Sequence, residues 1–254
     1  MRNLWSIAKR ELKAYFTSPI AYIVVAVFLF LGGSFFYGRV QVYELYTRQM
    51  MSYGYGQAPN VNQEVILYFF SFSLLVLIFV VPLLTMRLFS EEKKAGTEEL
   101  LLTSPLSVAQ IVGGKFLASL VLYLVILFFS ALIVLFGFLF GNPELLPVLG
   151  GFLGMLLVGA AFISVGMLFS SLTENQVVSA VLSIGTLLLL YFIYYETYFS
   201  TGVVKAVIGA VSFTPRFENM IQGNVDTADL AYFLSFTFFG LFLTHAVIQS
   251  RRWR

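Results

Sequence analysis

Between Arg87 and Lys115 the chain reads RLFSEEKKAGTEELLLTSPLSVAQIVGGK, the longest strongly charged interruption in an otherwise apolar sequence. Glu91, Glu92, Lys93, Lys94, Glu98 and Glu99 cannot sit in hydrocarbon, where each charge costs about 2.5–3.5 kcal/mol even on a lenient insertion scale. The stretch therefore lies in water between two membrane spans, yet its residues are not those of a loose loop. Gly96 is suited to end a helix at C′, and Thr97 to cap the next one, with Glu98 and Glu99 well placed in its first turn. That short helix, Glu98 to Thr103, carries Leu100, Leu101 and Leu102, too much apolar surface to leave in water without a partner. Ser104-Pro105 stops it. Ser107 with Gln110 three residues on reads as a capping box that opens the following long helix. A capped stub, acidic first and leucine-rich after, is suited to press on another protein.

Outward from this segment the composition is that of a membrane protein. Of 254 residues 59% are hydrophobic and only 11% charged, and the mean hydropathy is +0.89; a soluble domain is nearer a quarter charged. Six apolar runs reach the roughly 20 residues needed to cross about 30 Å of hydrocarbon. They lie at about Pro19–Tyr37, Val65–Met86, Ser107–Phe140, Leu146–Leu172, Gln176–Tyr195 and Leu230–Ile248. The expected fold is an all-α integral membrane protein, one domain over 1–254. The third run is overlong, so it is tilted or begins in the cytoplasm. Residues 2–17 precede the spans as a two-faced helix. Leu4, Trp5, Ala8, Leu12, Tyr15 and Phe16 share one face, and Arg2, Ser6, Lys9, Arg10 and Lys13 the other. Such a helix reads as lying in the membrane interface, with Trp5, Lys9, Arg10 and Lys13 as anchors; a plain extension of the first span is the alternative. Ser18-Pro19 then restarts the chain at an angle. At the other terminus Arg251, Arg252 and Trp253 form a second interfacial anchor.

The placement of Lys and Arg sets orientation. With the N-terminus inside, eleven inner cations (Arg2, Lys9, Arg10, Lys13, Arg87, Lys93, Lys94, Lys115, Arg251, Arg252, Arg254) face four outer ones (Arg39, Arg48, Lys205, Arg216). Both termini and the charged segment are expected on the cytoplasmic side. The first outer loop, Gly38 to Glu64, is rich in Tyr and Gly. Gly150, Gly151, Gly154, Gly159, Ala160, Ala161, Ser164 and Gly166 strew the fourth span; close helix packing is the preferred reading, with lining of a moving path as the other. Ser170 to Gln176 is a short inner turn. The segment 196–229 outside should hold a short amphipathic helix from Val203 to Val211, broken near Thr214-Pro215, with Asp226 or Thr227 capping the last span.

Some chemistry is missing. Gly113-Gly114-Lys115-Phe116 lacks the upstream glycine and the following hydroxyl of a phosphate-binding loop, so ATP and magnesium are not expected on this chain. The absence of Asp and Glu from the six runs argues against an ion-coupled carrier. The single His245, with no second ligand in sight, is read as a packed or interfacial histidine. A net charge of +2 is too small to suggest nucleic acid. No catalytic, cofactor or metal residue stands out.

The run from Glu91 to Ser107, followed by Ile111 and Gly114-Lys115, resembles the first cytoplasmic loop of type-2 ABC-transporter permeases; Gly96, Thr97, Glu99, Leu101, Pro105 and Ser107 match the pattern position by position. The resemblance implies that 87–106 is a coupling segment docking on a separate ATP-hydrolysing subunit, present in two copies and carrying the ATP and magnesium. It implies as contact residues Glu91, Glu92, Gly96, Thr97, Glu98, Glu99, Leu100, Leu101, Thr103, Pro105 and Ser107, with Glu174 in a second, smaller contact. It also implies a second permease copy or paralogue, an outer segment re-entering the membrane, and room for an accessory protein outside. Residues 2–17 become its elbow helix, and the setting a bacterial cytoplasmic membrane. The opening (Lys9-Arg10-Glu11-Leu12, Ser18-Pro19, Ala21-Tyr22) and the end from Asp226 to Trp253 resemble the branch with the gliding-motility permeases and the permease of nitrous-oxide reductase maturation. Two other functions stay open: a non-transporting scaffold of a surface machine, and an ion-driven carrier or channel acting alone.

Overall fold

The computed structural model describes residues 2–53, 60–98, 106–141 and 143–252. Among them every regular element is helical: α1 (Arg2–Thr17), α2 (Pro19–Ser52), a π-helical turn (Asn62–Ile66), α3 (Leu67–Thr85), α4 (Arg87–Lys94), α5 (Val108–Phe140), α6 (Leu145–Leu172), α7 (Gln176–Phe192), a 3-10 turn (Ile193–Tyr198), α8 (Gly202–Val211), α9 (Thr214–Ile221) and α10 (Thr227–Arg252). Among the described residues six helices are long and apolar enough to span a bilayer. The chain is an all-α, multi-pass membrane protein. α1, α4 and the end of α10 share one end of the bundle, here the basic end; α8 and α9 lie at the far end.

The boundaries follow local chemistry. Ser18 is extended with Pro19 at the first helical position, although its hydroxyl caps nothing. The capping box at α5 forms as read: the Ser107 hydroxyl accepts from Gln110 N–H, and Gln110 Oε1 accepts from Ser107 N–H, each at 3.2 Å. Asn175 opens α7 by accepting from Val177 N–H at 2.9 Å, and Asp226 opens α10 by accepting from Ala228 N–H. α6 runs on through Leu172, so the turn expected from Ser170 shrinks to 173–175. Pro215 starts α9 rather than ending α8, where a missing N–H is harmless.

The main departure is α2. Its 34 residues reach Ser52, about 51 Å of helix, so much of the expected outer loop is a continuation of the first span. An exit from hydrocarbon does not end a helix whose polar part supports itself: Arg48 pairs with Glu44 one turn earlier at 2.5 Å. Arg39 holds the extension to the bundle, stacked on Tyr68 at 3.9 Å and paired with Glu64 at 2.9 Å.

α6 is the centre. It packs on α3, α4, α5, α7, α9 and α10, and its small residues mark where neighbours press. A Cβ on Gly151 would enter the Phe70 ring, one on Gly159 the Tyr123 ring, and one on Gly166 the Thr85 side chain. Gly150 and Gly154 receive Met220 and Phe217 of α9, so their spacing admits a short far-end helix and not another span. Close packing is the role the small residues play here. Tyr123 is fully buried, and its hydroxyl donates to the Met155 carbonyl at 2.7 Å.

Candidate functional site

α4 leaves α3 after a one-residue break at Met86 and carries the charged segment's first half. It ends as the sequence indicates. Gly96 takes φ +67°, a left-handed conformation that costs glycine little. Gly96 N–H donates to the Lys93 carbonyl at 3.0 Å and Thr97 N–H to the Glu92 carbonyl at 2.9 Å, the two bonds of a Schellman close. The Thr97 hydroxyl also donates back, to the Glu92 carbonyl at 3.2 Å. Glu98 pairs with Arg251 of α10 at 3.5 Å, so the segment touches the C-terminal helix. Glu99, Leu100, Leu101, Thr103 and Pro105, and with them the expected leucine-bearing stub, lie outside the described residues, as does Trp253.

The segment's first and second halves are tied together by Lys115. This lysine stands on the first turns of α5, at the basic end, and its side chain is 1% exposed. Its ammonium donates to the Leu88 carbonyl at 2.6 Å, to Glu92 at 2.9 Å and to Glu11 at 3.2 Å, above the Phe89 ring. Arg10 closes the network from outside, reaching Glu11 at 2.7 Å and Glu92 at 3.1 Å. Burial would push the Glu11 carboxyl up; Lys115 and Arg10 outweigh it and hold the group below its ordinary value. Three helices thus share four charges: α1 gives Arg10 and Glu11, α4 gives Glu92, and α5 gives Lys115.

α1 is accordingly a bundle member. A Cβ on Gly114 would come within 2.8 Å of Ile7, so glycine lets α1 lie directly on α5. The Tyr15 hydroxyl donates to the Leu84 carbonyl at 2.9 Å and meets Ser119 at 3.1 Å, and Arg87 stacks over the Tyr15 ring. The apolar stripe expected to face lipid is divided: Ala8 and Tyr15 are buried in protein, while Trp5 and Phe16 stay exposed beside Lys9 and Lys13. Glu91 lines a 380 Å³ hollow between α1 and α4, with Glu11 and Arg87.

Glu174 falls beside the same segment. Lys94 and residues 174–177, from the turn into the start of α7, line a 420 Å³ groove at the basic end, and the Lys93 ammonium donates to the Ser171 carbonyl at the end of α6, where the helix dipole favours a cation. The structure therefore brings Glu91, Glu92, Gly96, Thr97, Glu98, Ser107 and Glu174 to one end of the bundle. The sequence reading missed Glu11 as part of this site, placed Lys93 in the charged segment and Ser170 and Ser171 in the inner turn without giving them partners, and used Lys115 only as a pattern residue. A charge inside an apolar run was the available signal for Lys115, because such a group is kept only with partners. His245 is half-buried on α10; among the described residues no three His, Cys, Asp or Glu gather as a metal site would need.

A family model described as ABC-2 family transporter protein matches residues 5–238, from the first turns of α1 to the middle of α10. None of the curated proteins matches the chain.

Proposed function

The chain belongs to the ABC-2 family of transporter proteins, and from that premise we propose that it is the permease subunit of an ATP-driven exporter in a bacterial cytoplasmic membrane. The observation that carries this reading is the clamping of 87–106 at both ends. α4 is bound through Glu92 and Lys93, α5 through Lys115, and both are tied to α1 and α6. A load applied between those ends is delivered to four helices at once. The bias of Lys and Arg puts this end in the cytoplasm, where a separate ATPase subunit, one for each of two permease copies or paralogues, holds the ATP and magnesium. Closing of the ATPases presses on Glu98 to Thr103 and on the turn at Glu174. The bundle then passes between inward- and outward-facing packings. The ends of the chain support the gliding-motility and nitrous-oxide-reductase-maturation branch, and the far end of α2, standing beyond the hydrocarbon, offers an accessory protein a place to bind.

The test is co-purification with the ATPase encoded beside it. Glu99→Lys and Leu101→Asp should each abolish recovery of the ATPase while the permease still inserts. Normal recovery with both variants refutes the coupling role.

A further inference from the structure

The junction of α3, α4 and α6 contains a hydroxyl whose bonding the coupling role does not explain. Met86 alone separates α3 from α4, and Pro82 has already withheld one N–H from the last turns of α3. A restarted helix opens with four N–H groups that have no partner inside it. One of these in α4, on Phe89, donates to Ser170 Oγ at 3.0 Å, and the next N–H, on Ser90, shares the same oxygen at 3.2 Å. The same hydroxyl donates to the Met86 carbonyl at 2.8 Å. Ser170 is fully buried and belongs to α6, more than eighty residues away in sequence. A side chain inserted into the ladder of a helix is a recognised cause of a kink. Here it comes from a different helix, so it also fixes which neighbour the piece beyond the break follows. Flanking contacts keep the same register: Thr85 presses on Gly166 one turn before, and Lys93 binds the Ser171 carbonyl one turn after.

We propose that Ser170 is a positioning residue for coupling, its hydroxyl pinning the α3–α4 hinge to α6 so that α4 swings with α6 and not with the span it continues. The proposal rests on the reading of 87–106 as the segment an ATPase presses. Its consequence is that motion enters the bundle through α6, the helix on which α10 packs most extensively. α6 packs on α10 as well as on α5, α7 and α9, whereas α3 packs on α2, α5, α7 and α9 and makes no comparable contact with α10.

The chain contains no cysteine, so spin labels at Ala95→Cys and Leu172→Cys, both exposed, report the α4–α6 distance in lipid nanodiscs without background. In the otherwise native chain the distance distribution is narrow. Ser170→Ala should broaden it, and amide exchange at Phe89 and Ser90 should rise about tenfold, the weight of one to two net hydrogen bonds. Ser170→Thr, which keeps a hydroxyl, should restore both. Lys93→Met removes the flanking bond to the Ser171 carbonyl but leaves the pin in place, and should broaden the distribution less than Ser170→Ala does. In the complex with its ATPase, Ser170→Ala should retain docking and lose the permease's stimulation of hydrolysis. An unchanged distribution and unchanged protection in Ser170→Ala overturn the assignment, and so does broadening by Lys93→Met as large as that of Ser170→Ala. If the ATPase fails to bind even the native chain, the coupling reading falls; the label and exchange data still decide whether Ser170 is the pin.

Discussion

Replacing Lys115 by methionine removes an ammonium held by three oxygens while keeping an unbranched side chain of similar length, so it separates charge from packing. The size of the effect can be worked from the network. Removing one member of a buried ion pair costs about 3–5 kcal/mol when the survivor is left with no partner. The survivors here, Glu11 and Glu92, are 14% and 19% exposed, and both keep Arg10. Arg10 is itself 56% exposed, and pairs with so exposed a member contribute about 1 kcal/mol or less. The expected loss is therefore about 2–3 kcal/mol, below the full figure by what Arg10 retains. The triple variant Lys115→Met, Glu11→Gln, Glu92→Gln should be more stable than the single one, because it strands no buried carboxylate. Unfolding in mixed detergent micelles, followed by the fluorescence of Trp5 on α1, measures both. A single variant within about 1 kcal/mol of the parent, or a triple variant no better than the single, would show that the cluster does not hold α1, α4 and α5 together.

Gly159→Ala should destabilise the fold by about 1–3 kcal/mol, since its methyl would enter the buried Tyr123 ring. Gly185→Ala, where nothing lies within 4 Å, should be neutral or stabilising by up to about 1 kcal/mol; thermal unfolding of the pair in detergent checks the contrast. The Glu11 carboxyl lies below its ordinary value when folded, so its stabilisation is complete above the unfolded value and is lost as the pH falls through the folded one. Acid titration should therefore loosen the basic end below the ordinary carboxylate range, and Glu11→Gln should flatten that part of the stability profile. Gly96→Ala forces a side chain into the left-handed region at a cost of about 1–2 kcal/mol. It should reduce ATPase recovery without lowering the amount of inserted permease, as read by co-purification against membrane yield.

The spans were legible because hydropathy and length suffice in a bilayer, and the helix ends because their signals are local. Gly96, Ser107 with Gln110 and Ser18-Pro19 each announce a boundary within four residues. α2 escaped because its polar part, with Tyr43, Tyr46 and Gly38, has the composition of a loop; only the Glu44–Arg48 pair hints at a helix continuing in water. The four-charge network escaped for a different reason. Arg10 and Glu11 lie more than eighty residues from Glu92, and a basic residue on a two-faced helix looks the same whether it meets lipid or a carboxylate. Ser170 and Ser171 sit where a helix fades into a turn, and nothing in the neighbouring sequence says that another helix will break beside them.

What joins the helices changes along the bundle, and this decides where force can travel. Between spans the contacts are shape on shape, such as Gly151 against Phe70 or Gly240 against Ser164. In lipid such packing has no hydrophobic drive behind it, because an acyl chain is as apolar as the helix it replaces. The exposed apolar faces of α7 and α10, with Val181 and Leu189 or Phe238 and Phe242, therefore need no protein partner, and helices held in this way can slide at small cost. At the basic end the joints are ions and inserted hydroxyls, each directional and each costly to leave unmade. A push there cannot be absorbed by sliding. It must move α1, α4, α5 and α6 as a unit and leave the loosely held helices to adjust. α7, with α10 the least buried of the spans packed on the central helix, should then show a large change in lipid exposure between nucleotide states, which a lipid-phase label at Leu189→Cys would register; equal mobility of α7 in all states would mean that the bundle moves as one piece.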